Sequence, residues 1–286
     1  ARPSQGQPAR LAASRSDSSC SSASCAEANG GPVAYWTREL LRVTAADGVE
    51  LAGVCWSPEA AAEAPGAVGL VLAYFHEGGV AADSAVEALH VAIHLGVPLV
   101  ALDARCTGQS GGTMVSFDMR LDVETALGAA AERYPGARVA AWGRGIGAAA
   151  VMQYVAQGPL ANPEPLWPLP PLACVVLDSP FTTIPDILAD AVRELQSQGF
   201  WVPPGAASMG VGLVRMGVRR RRGQDPIKLL RPVELAPLCR CPALVLAADA
   251  NPYVCPRHPT AVASAYGGAP PPPPGARGAA APLPPP

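Results

Sequence analysis

The chain has 286 residues, 49% of them hydrophobic and 15% charged; that is enough apolar material for one large core plus tails, and it excludes a wholly disordered chain. A net charge of -2 supplies no global field favouring nucleic acid or an anionic membrane. The eight cysteines are scattered, with no paired C-x-x-C and no histidine set at ligand spacing, so free thiols in a reducing compartment are expected and a metal site is not.

Residues 1–31 are small and polar and are expected to be disordered. Arg2, Arg10 and Arg15 among many Ser and Ala lend this segment a faint likeness to a transit peptide, so an organellar address stays open beside the cytoplasmic one. The first residue is Ala1, which reads as a fragment or a processed end. Two strands, 33–43 and 49–56, flank Ala45-Ala46-Asp47-Gly48, a hairpin signal. A loop is expected at 57–67. The apolar run 68–75, closed by His76-Glu77-Gly78-Gly79, fits a strand buried on both faces. Helical spacing follows at 82–95, then a short strand at 97–102 closed by Asp103. Residues 117–134 form a helix with Asp118, Asp122 and Glu124 early and Arg133 late, which suits the helix dipole.

A strand at 138–142 and a helix at 148–157 come next, then a proline-rich interruption at 158–171. The strand 174–177 ends at Asp178-Ser179-Pro180-Phe181. Residues 184–222 are mostly helical, broken at Val202-Pro203-Pro204-Gly205, and the last strand, 243–247, ends at Asp249. From Gly267 on, the chain is low in complexity. No run reaches about 18 uninterrupted apolar residues, so no transmembrane helix is expected.

Alternating strands and helices over 68–250 predict an α/β fold: a mostly parallel sheet with right-handed crossovers and helices on both faces. In such sheets function gathers at the carboxyl ends of the strands. His76, Asp103, the turn 143–147, Asp178 and Asp249 each follow a strand. The turn reads Gly143-Arg144-Gly145-Ile146-Gly147 between a strand and a helix. Acyl-transfer enzymes write G-x-S-x-G at such a junction: the outer glycines permit close approach, the central residue is strained, and the next N–H faces the developing oxyanion.

These motifs resemble the α/β-hydrolase superfamily, and most closely its serine-aminopeptidase or acyl-hydrolase branch. The likeness rests on AAWGRGIGAAA at 140–150, His76-Glu77-Gly78-Gly79, the stretch Asp103 to Gly111, LDSPF at 177–181, and the spacing of Asp249, Val254, Pro256 and His258. It implies one α/β-hydrolase domain over 32–268, with a cap-like helical region at 184–222 and a proline-rich tail at 269–286. It also implies that Gly145 stands at the nucleophile position and Asp249 at the acid position. His76, Glu77, Gly78, Arg144 and Ile146 then fall around the oxyanion pocket. Gly145 carries no hydroxyl to acylate, and no histidine follows His258. Losing two members of a triad leaves only ligand binding and the oxyanion donors. A carboxylate at Glu77 is unfavourable to an oxyanion.

Other polar residues have plainer readings. His76 orders its loop, Ser179 and Ser110 hold loops by hydrogen bonds, and Cys106 is a small thiol in a Gly-rich loop. His258 packs on the loop that carries Asp249, His90 and His94 share one exposed helix face, and Arg219 to Arg222 form a solvated helix end. The leading expectation is a pseudo-hydrolase that keeps a pocket for a small-molecule or peptide ligand. Two alternatives stay open. One is an active serine hydrolase (ester, thioester or peptide bond) whose glycine and lost terminus reflect a sequence or gene-prediction error. The other is a scaffold whose proline-rich tail meets a proline-reading partner. No metal or organic cofactor is implied, and no nucleic-acid partner.

Overall fold

The computed structural model describes residues 35–77, 85–112, 118–159, 170–222, 230–251 and 254–267. The amino-terminal segment 1–31, Gly78, most of the proline-rich interruption and the tail 269–286 lie outside the described residues. The first two strands, β1 (Trp36–Thr44) and β2 (Glu50–Pro58), form the expected antiparallel hairpin, with Thr44 facing Glu50. Its turn depends on Gly48 at φ 83°, and the Ala45 N–H closes it on the Val49 carbonyl at 2.8 Å. The expected loop at 57–67 instead holds a short helix, α1 (Glu59–Glu63), and a 3-10 turn at Pro65–Ala67.

Strands β3 (Leu70–Phe75), β4 (Leu99–Leu102) and β5 (Arg138–Arg144) are short apolar runs buried almost throughout. They stand parallel, with β4 and β5 on either side of β3. Helix α2 (Val86–Leu95) joins β3 to β4, and α3 (Arg120–Arg133) joins β4 to β5. Beyond β5 come α4 (Ile146–Gln157) and β6 (Leu172–Asp178), which pairs parallel to β5. Among the described residues the sheet has seven strands in the order β1-β2-β4-β3-β5-β6-β7, where β7 (Ala243–Leu246) runs parallel to β6. Among these strands β2 runs against the rest: it is antiparallel to both β1 and β4. Because the chain leaves β3 for β4 on one side and leaves β5 for β6 on the other, the winding reverses between β3 and β5, where such sheets open a crevice at the carboxyl ends.

Two buried clusters cover the sheet. One packs α3 and α4 on it through Leu127, Tyr134 and Met152; the other packs α2 beside Tyr74 and Trp142, whose rings meet edge to face at 6.2 Å. Leu99, Leu127 and Leu177 are wholly buried, each contributing about 2 kcal/mol by leaving water. The thiols Cys55, Cys106, Cys174, Cys239, Cys241 and Cys255 are free.

The helical stretch 184–222 divides as the sequence suggests, into α5 (Ile184–Ser197) and α6 (Ala206–Arg222), which pack together as a hairpin. Thr183 caps α5: its hydroxyl accepts the Asp186 N–H at 3.3 Å and donates to the Asp186 carboxylate at 2.7 Å. That pair supplies the partner the first turn lacks. Two further helices, α7 (Pro232–Leu235) and α8 (Arg257–Ala265), were not expected from the sequence. His258 therefore sits in the first turn of α8, not on a loop. Among the described residues, no helix is long and apolar enough to cross a membrane.

Candidate ligand site at the strand ends

The turn after β5 is built by three glycines with different duties. A Cβ on Gly143 would strike the Gly147 carbonyl and the Ala148 backbone, and one on Gly147 would strike the Phe75 carbonyl. Both positions therefore need the missing side chain so that α4 can start hard against β5 and β3. Gly145, between them, has φ 53° and ψ -110°, a conformation that favours glycine. Its N–H is held by the Asp178 carbonyl at 2.9 Å. The chain reverses in this single residue, so α4 begins at Ile146, two residues earlier than helical spacing suggests. As the first residue of α4, Ile146 has an N–H with no intrahelical acceptor.

Glu77 arrives at the same spot from β3. A Cβ built on Gly145 would lie 2.8 Å from Glu77 Cγ and 2.8 Å from Oε1, so the Glu77 side chain fills the space above the glycine. Arg144 lies close by, 3.6 Å from Glu77, 2.8 Å from Glu87 and 4.0 Å from Asp178. Burial works against the Arg144 charge, but Glu87, Asp178, Tyr74 and Glu77 together raise its pKa above the usual arginine value. Burial also pushes the neighbouring Tyr74 phenol up to about 12. Thus three carboxylates gather round one guanidinium where an oxyanion would have to form.

The loops behind the turn are braced by side chains. His76, buried, accepts the Ala104 N–H through Nε2 at 2.9 Å, which ties the β3 loop to the β4 loop and fixes that nitrogen as unprotonated. Asp103 accepts the Gln109 N–H at 3.0 Å. The Ser110 hydroxyl donates to the Asp103 carbonyl at 2.6 Å and accepts the Ala52 N–H at 2.9 Å. Arg105 bridges Asp47 at 2.6 Å and Asp122 at 2.7 Å. Burial opposes its charge, and the bonds from both carboxylates raise its pKa all the same. These contacts give Asp103, Arg105 and Ser110 structural duties.

Between this brace and α4 lies a cavity of about 230 Å³. Leu51, Phe75, Leu102, Met119, Val123 and Ile146 give it apolar walls, and His76, Glu77, Asp103, Arg105 and Asp122 its polar lining. Glu77 and Ile146 both line it; Arg144 does not, and touches the site through its contact with Glu77. Asp249 does not line the cavity; it is exposed in the turn beyond β7. Gly78 lies outside the described residues.

The remaining candidates fall elsewhere. Ser179 is buried, has φ 49°, and bonds to Asp178 at 3.0 Å and Asn251 at 3.4 Å. His90 and His94 are exposed on α2. His258 is wholly buried, with Nε2 2.7 Å from Asp190 and Nδ1 2.8 Å from the Thr182 hydroxyl. Arg257 also grips Asp190, at 2.8 and 3.0 Å. This network joins α8 to α5. Burial first and Arg257 second hold the His258 pKa below its ordinary value.

Solved structures of similar shape carry the same architecture. An esterase from Pyrococcus furiosus aligns with a TM-score of 0.55 at 15% identity, over 80% of this chain and 77% of its own. Acetyl xylan esterase 1 from a Thermoanaerobacterium species aligns at 0.56 and 15% identity, over 92% of this chain and 80% of its own. A hydrolase from Pseudomonas aeruginosa aligns at 0.50 and 16% identity, over 80% and 88%. No family profile and no curated protein sequence matches the chain. The fold is the α/β-hydrolase fold, and at these identities the likeness speaks for the fold alone.

Proposed function

We propose that this chain is a binding domain on the α/β-hydrolase fold that forms no acyl-enzyme at its elbow. Its origin, on this reading, is the serine-aminopeptidase or acyl-hydrolase branch, supported by the motifs at 103–111 and 177–181. One observation carries the proposal. The residue at the strained turn is Gly145, and the space above it is filled by the Glu77 carboxylate. No oxygen on residue 145 can attack a carbonyl, and a carboxylate above Gly145 repels the oxyanion that acyl transfer must stabilise at this turn.

The cavity supports a ligand in place of a reaction. An engineered apolar cavity of about 150 Å³ takes up benzene, so the larger space here suits a small ring or a short alkyl chain. Its lining carries three carboxylates, Glu77, Asp103 and Asp122, against one guanidinium, Arg105. The ligand favoured by these charges has an apolar body and a neutral or cationic head.

Melting temperatures in the presence of hexylamine, hexanol and hexanoate test this. Hexylamine raises the midpoint most, hexanol less and hexanoate not at all, since only a species that binds the folded chain stabilises it. Glu77→Gln removes the advantage of the amine and keeps that of the alcohol. Assayed beside these, short-chain p-nitrophenyl esters turn over no faster than in buffer. A preference for hexanoate, or ester turnover that a fluorophosphonate stops, contradicts the proposal.

A further inference from the structure

The α5–α6 hairpin leaves several large apolar side chains in water. Phe200 and Trp201, at its tip, are 61% and 83% exposed. Along α6, Met209, Leu213 and Met216 are 64%, 57% and 44% exposed, and their spacing of four and three residues puts them on one helical face. Single exposed apolar residues are ordinary on a protein surface; an aromatic tip continued by a stripe of this kind is not. None of these residues lines the cavity at the strand ends.

Charge tells what the surface meets. Arg219 and Arg220 are exposed on the last turns of α6. In sequence, Arg215 and the run 219–222 place five arginines within eight residues, and no Asp or Glu falls between Glu194 and Asp225. The whole-chain charge of -2 averages this local excess away. Two copies facing each other through α6 would bring two arginine runs together, at a Coulombic cost. Nucleic acid would match the arginines but leave the Met and Leu stripe in water. A bilayer with anionic headgroups satisfies both: the arginines meet phosphate or carboxylate, and Trp201, Phe200 and the stripe enter the headgroup–acyl boundary.

We propose that the α5–α6 hairpin is a docking surface for an anionic lipid bilayer, on which α6 lies in the plane of the interface. The inference is independent of what the cavity binds. Sedimentation of the full chain with phosphatidylcholine vesicles and with mixed phosphatidylserine–phosphatidylcholine vesicles tests it. Partitioning is about tenfold stronger onto the mixed vesicles and weakens as salt is raised. Leu213→Gln with Met216→Gln cuts partitioning about tenfold, while Arg219→Gln with Arg220→Gln abolishes the preference for the anionic lipid. Both variants melt like the parent, since the positions are exposed. Brominated acyl chains quench the tryptophan emission of the parent chain, and Trp201→Phe removes that quenching. Failure to partition, or equal partitioning by the Leu213→Gln, Met216→Gln variant, overturns the proposal. So does a concentration-dependent dimer that this variant dissolves, or displacement from vesicles by duplex DNA.

Discussion

Glu77 and Gly145 exchange roles at the elbow: the glycine supplies backbone curvature and the glutamate supplies the side chain. Gly145→Ser introduces a Cβ at φ 53°, which costs about 1–3 kcal/mol. It also forces the Glu77 side chain aside, a small addition because that side chain is half exposed and free to turn. The variant therefore melts at or below the parent temperature and gains no esterase activity, since no histidine base is supplied to it. Urea denaturation and an ester assay check both halves. Gly147→Ala is the harsher change, because its Cβ meets the Phe75 backbone carbonyl, which cannot turn away. We expect it to lose about 3 kcal/mol in urea denaturation. The turn's glycines were legible in the sequence as a strand-to-helix junction. The overlap of Glu77 with Gly145 was not, because it depends on how close β3 and β5 stand and nothing local in either segment states that distance.

At the scale of elements, the buried parallel strands were the easiest to find. β3, β4 and β5 are apolar runs bounded by turn residues, and burial on both faces leaves no polar alternation to blur them; β6 is as apolar in sequence but only partly buried. Helix ends were less legible. Helical spacing begins at residue 117, but Asp118 stays outside α3 and pairs with Arg120 at 2.7 Å. Helix α8 escaped because the stretch after Asp249 reads as one loop, yet Pro259 fits its first turn, where a proline gives up an N–H that has no partner. That same first turn holds His258, and the α5–α8 junction depends on it. His258→Ala leaves Asp190 and Thr182 without their ring partner, at a cost of about 3 kcal/mol. The junction also has a pH dependence. The folded chain holds His258 below its ordinary pKa, while the unfolded ring titrates near about 6.5, so the unfolded state takes the proton first. Stability is full above that pH and falls as pH drops below it towards the lower pKa of the folded chain. Denaturation midpoints across this window fall for the parent chain and fall less for His258→Ala.

For the whole molecule, composition announced one core of ordinary size, and the seven-stranded sheet with two buried clusters is that core. Net charge concealed more than it revealed. The chain at -2 gathers Glu77, Glu87 and Asp178 around Arg144 at the elbow and, in sequence, five arginines at 215–222, so two regions of one molecule present opposite charge. Sequence patterning also could not tell which apolar helix faces would be covered, because the Met209, Leu213 and Met216 spacing is the same whether a neighbour packs on it or not. The central claim remains chemical: no side chain at the elbow carries an acyl group. Intact-mass spectrometry after incubation with an excess of a fluorophosphonate measures this directly. The account predicts an unchanged mass for the parent chain. A stoichiometric phosphonyl adduct, mapped to any side chain lining the turn at 143–147 or the loop that carries Glu77, contradicts it.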